Sequence, residues 1–172
     1  MTSTGVSAVN ATLYLDLEGT VIKGWDDQVL MNSSRVRDFL DSNPDIDRDD
    51  VRVFSFAIYN DKDKAEFVRD IKPMLERRLG VTITQWPSVQ DMALRTQQLT
   101  GNRFLDSDTM GGHGICEFIA LVGKVNAFLD YVVYDRAPGR YVLVDDIVPM
   151  RTVLDHTLGL QVDYINVDKL GV

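Results

Sequence analysis

LYLDLEGTVI, residues 13–22, decides how this chain is read. An apolar run reaches Asp16, a second acid follows at Glu18, and Gly19-Thr20 comes next. The stretch 12–17 (TLYLDL) mixes apolar and β-favouring residues, which predicts a buried strand. A strand tipped with two carboxylates puts charge at the end of a sheet, where open α/β sheets bind their ligands.

Outward from that strand, the chain alternates. Helix is expected over 33–42, with Val36, Phe39 and Leu40 on one face and Ser33 or Ser34 as cap. A second buried strand is expected over 51–59. The stretch 61–80 predicts a long amphipathic helix with Ala65, Val68, Ile71, Leu75 and Leu79 on one face, a kink at Pro73 and a stop at Gly80. A third strand follows at 81–86 and a helix near 88–99 capped by Ser88. Residues 100–114 lack a period and carry four glycines, so they read as a long loop. Helix at 115–133, strand at 140–146, helix at 148–159 stopped by Gly159 and strand at 160–167 complete the pattern. Such alternation predicts an α/β fold: a Rossmann-like three-layer sandwich with a five-stranded parallel sheet, order 5-4-1-2-3.

Composition bounds the rest. At 172 residues the chain fits one domain, placed at 11–172 after a flexible tail at 1–10 that has no Lys, no Arg and no long apolar core. A net charge of −8 repels phosphate backbones and argues against nonspecific nucleic-acid binding. No apolar run approaches the ~18 residues of a membrane span. The single cysteine, Cys116, cannot form an internal disulfide, which fits a reducing, cytoplasmic setting.

The expected strand ends carry Asp16 and Glu18, Ser55, and Asp145 with Asp146. Lys124 stands on the helix before the fourth strand. Carboxylates gathered at one point repel one another unless a cation intervenes, and a few oxygen ligands with room for water and phosphate suit Mg²⁺. A lysine and a hydroxyl beside such an ion can hold a phosphoryl group, and a carboxylate is a known nucleophile toward phosphorus.

Taken in order, LYLDLEGTVI, VFSFAIYN, Lys124 and YVLVDDIV resemble the four motifs of the haloacid dehalogenase (HAD) superfamily of phosphohydrolases. The resemblance implies a Mg²⁺-dependent phosphatase. Asp16 would be the nucleophile and Glu18 the general acid/base, its backbone carbonyl also on the metal. Thr20 would support the turn beneath the site. Ser55 and Lys124 would bind the phosphoryl group, and Asp145 and Asp146 would complete the metal site with Asp16 and Glu18. Glu18 departs from the usual Asp, although a D-x-E-G-T stretch also occurs in the enolase-phosphatase branch. The spacing between motifs leaves no room for a sizeable cap, so segments 24–32 and 100–114 flank an open site. Such a site suits a phosphorylated small molecule or an exposed phosphorylated end, or it could be closed by a second copy of the chain in a homo-oligomer.

Plainer readings stand beside these. Trp25 reads as a substrate platform or as local packing, and His113 as a second acid/base or as polar surface. Ser55 reads also as a core hydroxyl, Lys124 as a solvated helix residue and the Asp145-Asp146 pair as a helix cap. The rival to a phosphatase is a catalytically degenerate HAD-like domain that binds a phosphorylated ligand or a protein partner without turnover. A receiver domain uses similar groups but with the acidic pair early and the lysine late, the reverse of the order here.

Overall fold

The computed structural model describes residues 10–101 and 113–171, with side chains in the second segment from 117 onward. The tail expected at 1–10 lies outside the described residues except for Asn10, as do residues 102–112 of the expected loop. In chain order the elements are β1 (Ala11–Leu15), α1 (Ser33–Ser42), β2 (Val51–Val53), α2 (Asp61–Glu66), a π turn (Phe67–Ile71), α3 (Lys72–Leu79) and β3 (Ile83–Gln85). Then come α4 (Val89–Thr100), α5 (His113–Tyr134), β4 (Gly139–Asp145), β5 (Arg151–Asp155), β6 (Leu160–Asn166) and a 3₁₀ turn (Val167–Lys169).

One mixed sheet joins the strands in the order β3-β2-β1-β4-β6-β5. The expectation of five parallel strands in the order 5-4-1-2-3 is corrected: the sheet has six strands, and β5 runs antiparallel to β6 at its edge. The added strand comes from 148–159, expected as helix. Thr152 and Val153 supply β-branched residues, and Val153 packs toward the core. Asp155 accepts hydrogen bonds from the Thr157 and Leu158 backbone N–H groups, each at 3.0 Å, and Gly159 takes φ 64°. The glycine that reads as a helix stop lies instead, with Asp155, in the turn that carries β5 back into β6.

Both faces of the sheet are covered. Leu13 and Leu15 of β1 and Val142 and Val144 of β4 join Val36 and Leu40 of α1 and Ile71, Leu75 and Leu79 on one side. Tyr14 and Leu143, the residues between, join Met92 and Ala93 of α4 and Phe118, Phe128 and Tyr131 of α5 on the other. That alternation is the two-residue period of a strand buried on both faces. Tyr14 and Phe54 each meet Phe128 edge-on, with ring centroids 5.0 and 5.1 Å apart, which adds about 0.5–1.5 kcal/mol per pair beyond area burial.

The helix expected over 61–80 runs from Asp61 to Leu79 with a π turn in its middle. The wide turn at Phe67–Ile71 lies just before Pro73, which sits at the start of α3. The turn also shifts the phase: Phe67, Ile71, Leu75 and Leu79 are buried, whereas Ala65 and Val68 are exposed. Helix α1 begins after Asn32, in a left-handed conformation with no side-chain cap bond, and not on a serine cap. Ser88 does cap α4, in a reciprocal box with Asp91.

Register is what gathers the strand ends. Leu15 lies opposite Val53 on one side and Val144 on the other. One step further, the Asp16 N–H donates to the Val144 carbonyl at 3.0 Å and the Phe54 N–H to the Leu15 carbonyl at 2.9 Å. The residues that follow, Ser55 and Asp145, therefore flank Asp16.

Candidate functional site

At the carboxyl ends of β1, β2 and β4 lies a cleft of about 310 Å³. Its polar lining is Asp16, Glu18, Ser55, Lys124 and Asp146, and its apolar lining is Phe56, Ala57, Tyr59, Ile119 and Ile147. A larger groove, 660 Å³, runs between Trp86, Arg95 and Tyr131 elsewhere on the surface. There Lys64 is paired to Asp91 and Arg95 to Asp135, and none of its residues belongs to the acidic cluster described below. Chemistry, not size, places the candidate site at the smaller cleft.

Asp16 is buried at the end of β1 with both carboxylate oxygens engaged. Oδ1 accepts from Lys124 Nζ at 2.9 Å and Oδ2 from Thr20 Oγ1 at 2.9 Å. Burial pushes the Asp16 carboxyl above its ordinary value, and Asp145 adds to the push while Lys124 opposes it. Lys124 also lies 3.1 Å from Asp145 Oδ2. Burial works against the lysine's charge, but the two aspartates outweigh it and hold its pKa above the usual lysine value. The ammonium further stands 4.7 Å from the centre of the Phe56 ring.

Lys124 reaches this position because α5 is broken just before it. Gly123 has φ 74° and ψ 169°, which is not helical, so Lys124 opens a new helical run. That combination of angles is essentially confined to glycine.

Asp145 is fully buried. Its Oδ1 accepts from the Ile147 N–H at 2.8 Å, whereas Oδ2 has no well-angled hydrogen bond and only the ionic contact with Lys124. Buried oxygens are normally satisfied, so an open lone pair here calls for a partner. Asp16, Asp145 and Asp146 each offer an oxygen within 4.8 Å of the others. Three carboxylates against one ammonium leave two negative charges, which a divalent cation balances. The same crowding shows in Asp146, pushed up to about 6 by burial and by its neighbours Asp16 and Asp145. An all-carboxylate donor set is of the hard-oxygen type, so these residues could hold a metal ion that prefers oxygen ligands.

Two further features hold the cluster. Gly19 has φ 74°, and a side chain there would collide with the Asp146 carboxylate. Asn166, at the end of β6, donates from Nδ2 to the carbonyls of Asp146 at 3.0 Å and Val148 at 3.2 Å, pinning the loop after β4.

The remaining expected residues divide. Glu18 lines the cleft and is exposed, and its Oε2 accepts from the Trp25 N–H at 2.9 Å, so its carboxylate stands outside the three-aspartate cluster. Ser55 is buried just beyond β2, which ends at Val53 instead of running to 59, and its Oγ accepts from the Ala57 N–H at 3.2 Å. Thr20 is wholly buried and does not line the cleft; it steadies Asp16. Trp25 packs its indole against the core on the α1 side, in keeping with the packing reading, and is not among the cleft residues. His113 is the first residue of α5, and its side chain lies outside those described.

Sequence reasoning missed the apolar wall, Gly19, Gly123 and Asn166. Phe56 and Ile147 stand one position after Ser55 and Asp146, so motif neighbours were a usable signal. Asn166 offered none, because its partners are backbone carbonyls of another loop. No protein-family model, no curated protein and no solved structure matches this chain.

Proposed function

We propose that this chain is a divalent-metal-dependent phosphohydrolase that cleaves a phosphomonoester through an aspartyl phosphate on Asp16. The observation that carries the reading is the meeting of Asp16, Lys124, Asp145 and Asp146 at one strand-end cluster. Its support from sequence is the resemblance to the HAD phosphohydrolases, whose motif order implies these roles. Mg²⁺ bound by Asp16, Asp145 and Asp146 would neutralise charge on the phosphoryl oxygens.

The chain's own residues do the rest. An Asp16 carboxylate oxygen attacks phosphorus, the bond from phosphorus to the alcohol oxygen breaks, and Glu18 gives that oxygen a proton. The Trp25 N–H occupies Glu18 Oε2, which leaves Oε1 for the proton. Ionised Glu18 next takes a proton from water, whose oxygen attacks phosphorus. The phosphorus bond to Asp16 breaks, phosphate leaves and the carboxylate is restored. Lys124 and Ser55 hold the phosphoryl oxygens, and Thr20 keeps Asp16 in line.

The test is release of phosphate from an aryl phosphate. Release is expected with Mg²⁺ and is expected to vanish with EDTA or in Asp16→Asn. Tight binding of a phosphorylated ligand without release would favour the non-catalytic reading instead.

A further inference from the structure

The cleft over Asp16 has two unlike halves. Its floor is charged, through Asp16, Lys124 and Asp146, whereas its wall is Phe56, Tyr59, Ile119 and Ile147. Ile147 is 71% exposed and Tyr59 40% exposed. Both sit at the mouth, so apolar surface is held in water beside the place where a substrate's alcohol portion would lie. We propose that the leaving group this cleft accepts is an uncharged apolar alcohol, of the size of one aromatic ring or a short branched chain. The proposal rests on the phosphatase reading for seating the phosphoryl group at Asp16.

Three observations support it. Among the described residues lining the cleft, Lys124 is the only cation, and Asp16 and Asp145 already engage it at 2.9 and 3.1 Å. A second phosphate or a carboxylate on the substrate would find no further cation among the described residues of the cleft. Among the described residues, the wall's side chains carry one polar atom, the Tyr59 hydroxyl, so the hydroxyls of a sugar or polyol gain little there. An apolar group instead covers the exposed Ile147 and releases the water over it. The third observation is volume: about 310 Å³ takes a phosphoryl group and one ring, while anything larger extends into solvent.

Aryl esters react faster for chemical reasons, so the test uses two alkyl esters, benzyl phosphate and glycerol 3-phosphate. With Mg²⁺ and the full chain, kcat/KM is expected to favour benzyl phosphate by about tenfold or more, the scale on which apolar pockets discriminate. Ile147→Ser is expected to shrink that ratio severalfold. Leu154→Ser, exposed on β5 and outside the cleft, is expected to leave the ratio alone. Equal kcat/KM for the two esters, or a ratio indifferent to Ile147→Ser, overturns the inference and leaves the phosphatase reading standing. If neither ester releases phosphate, the phosphatase reading fails, and calorimetry with benzylphosphonate and 3-hydroxypropylphosphonate decides the leaving-group question. Tighter benzylphosphonate binding then supports the apolar subsite, and equal or weaker binding overturns it.

Discussion

Lys124 donates to Asp16 at 2.9 Å across 108 positions of sequence, and both side chains are buried. Removing one partner of such a pair strands the other's charge in a poor solvent. Lys124→Ala is therefore expected to cost about 3–5 kcal/mol in urea unfolding without metal. Mg²⁺ should return part of that loss, because it supplies the missing positive charge. A variant as stable as the parent in EDTA would contradict the pairing.

Gly19 tests the packing of the three-aspartate cluster. Gly19→Ala adds a side chain against the Asp146 carboxylate at a positive φ of 74°. Backbone strain of about 1–3 kcal/mol is expected in thermal unfolding. Mg²⁺ affinity by calorimetry is expected to fall at least tenfold, since Asp146 must move. Unchanged affinity would mean that Asp146 is not held where the metal needs it.

Asp146 gives the cluster a pH signature. Its folded pKa is raised from 3.8 to about 6, so its ionisation opposes folding. The stability it contributes is full below the unfolded value and is lost as pH rises through about 6. Without metal, Asp146→Asn is thus expected to melt above the parent at pH 8 and to converge with it near pH 4. Mg²⁺ requires the carboxylate, so its affinity for the parent should climb as pH passes through 6. Melting curves at both pH values, with EDTA and with Mg²⁺, check the sign, and a parent more stable than Asp146→Asn at pH 8 in EDTA would reverse the argument.

Gly123 separates the two runs of α5. Its φ is 74° and its ψ 169°, and no atom of the described residues lies where a methyl group would sit, so Gly123→Ala meets backbone strain of about 1–3 kcal/mol. If the helix straightens to relieve it, Lys124 leaves Asp16. The expected outcome is a fall in phosphate release larger than the fall in thermal stability explains. Activity unchanged by Gly123→Ala would mean that the break does not position the lysine.

The strand ends were legible because their chemistry is local: an apolar run meets its acids within a few residues, as at Asp16 and again at Asp145-Asp146. Register then brings them together, since Leu15 lies between Val53 and Val144. The stretch 148–159 was not legible in this way. Pro149 and Gly159 punctuate a helix or a hairpin equally well, and an edge strand needs only a weak apolar period. Likewise, the wide turn at Phe67–Ile71 changes which residues face the core without leaving a mark in composition. The direction of Glu18 was hidden too, because it depends on a backbone N–H of Trp25, seven positions on, made available by the fold of the intervening loop.

The most direct test of the central claim is acid-quenched turnover of a ³²P-labelled phosphomonoester, followed by peptide mapping of labelled protein. The account predicts label on the peptide carrying Asp16, formed only with Mg²⁺ and absent from Asp16→Asn. Phosphate release at full rate with no labelled protein, or with label on another residue, would contradict it.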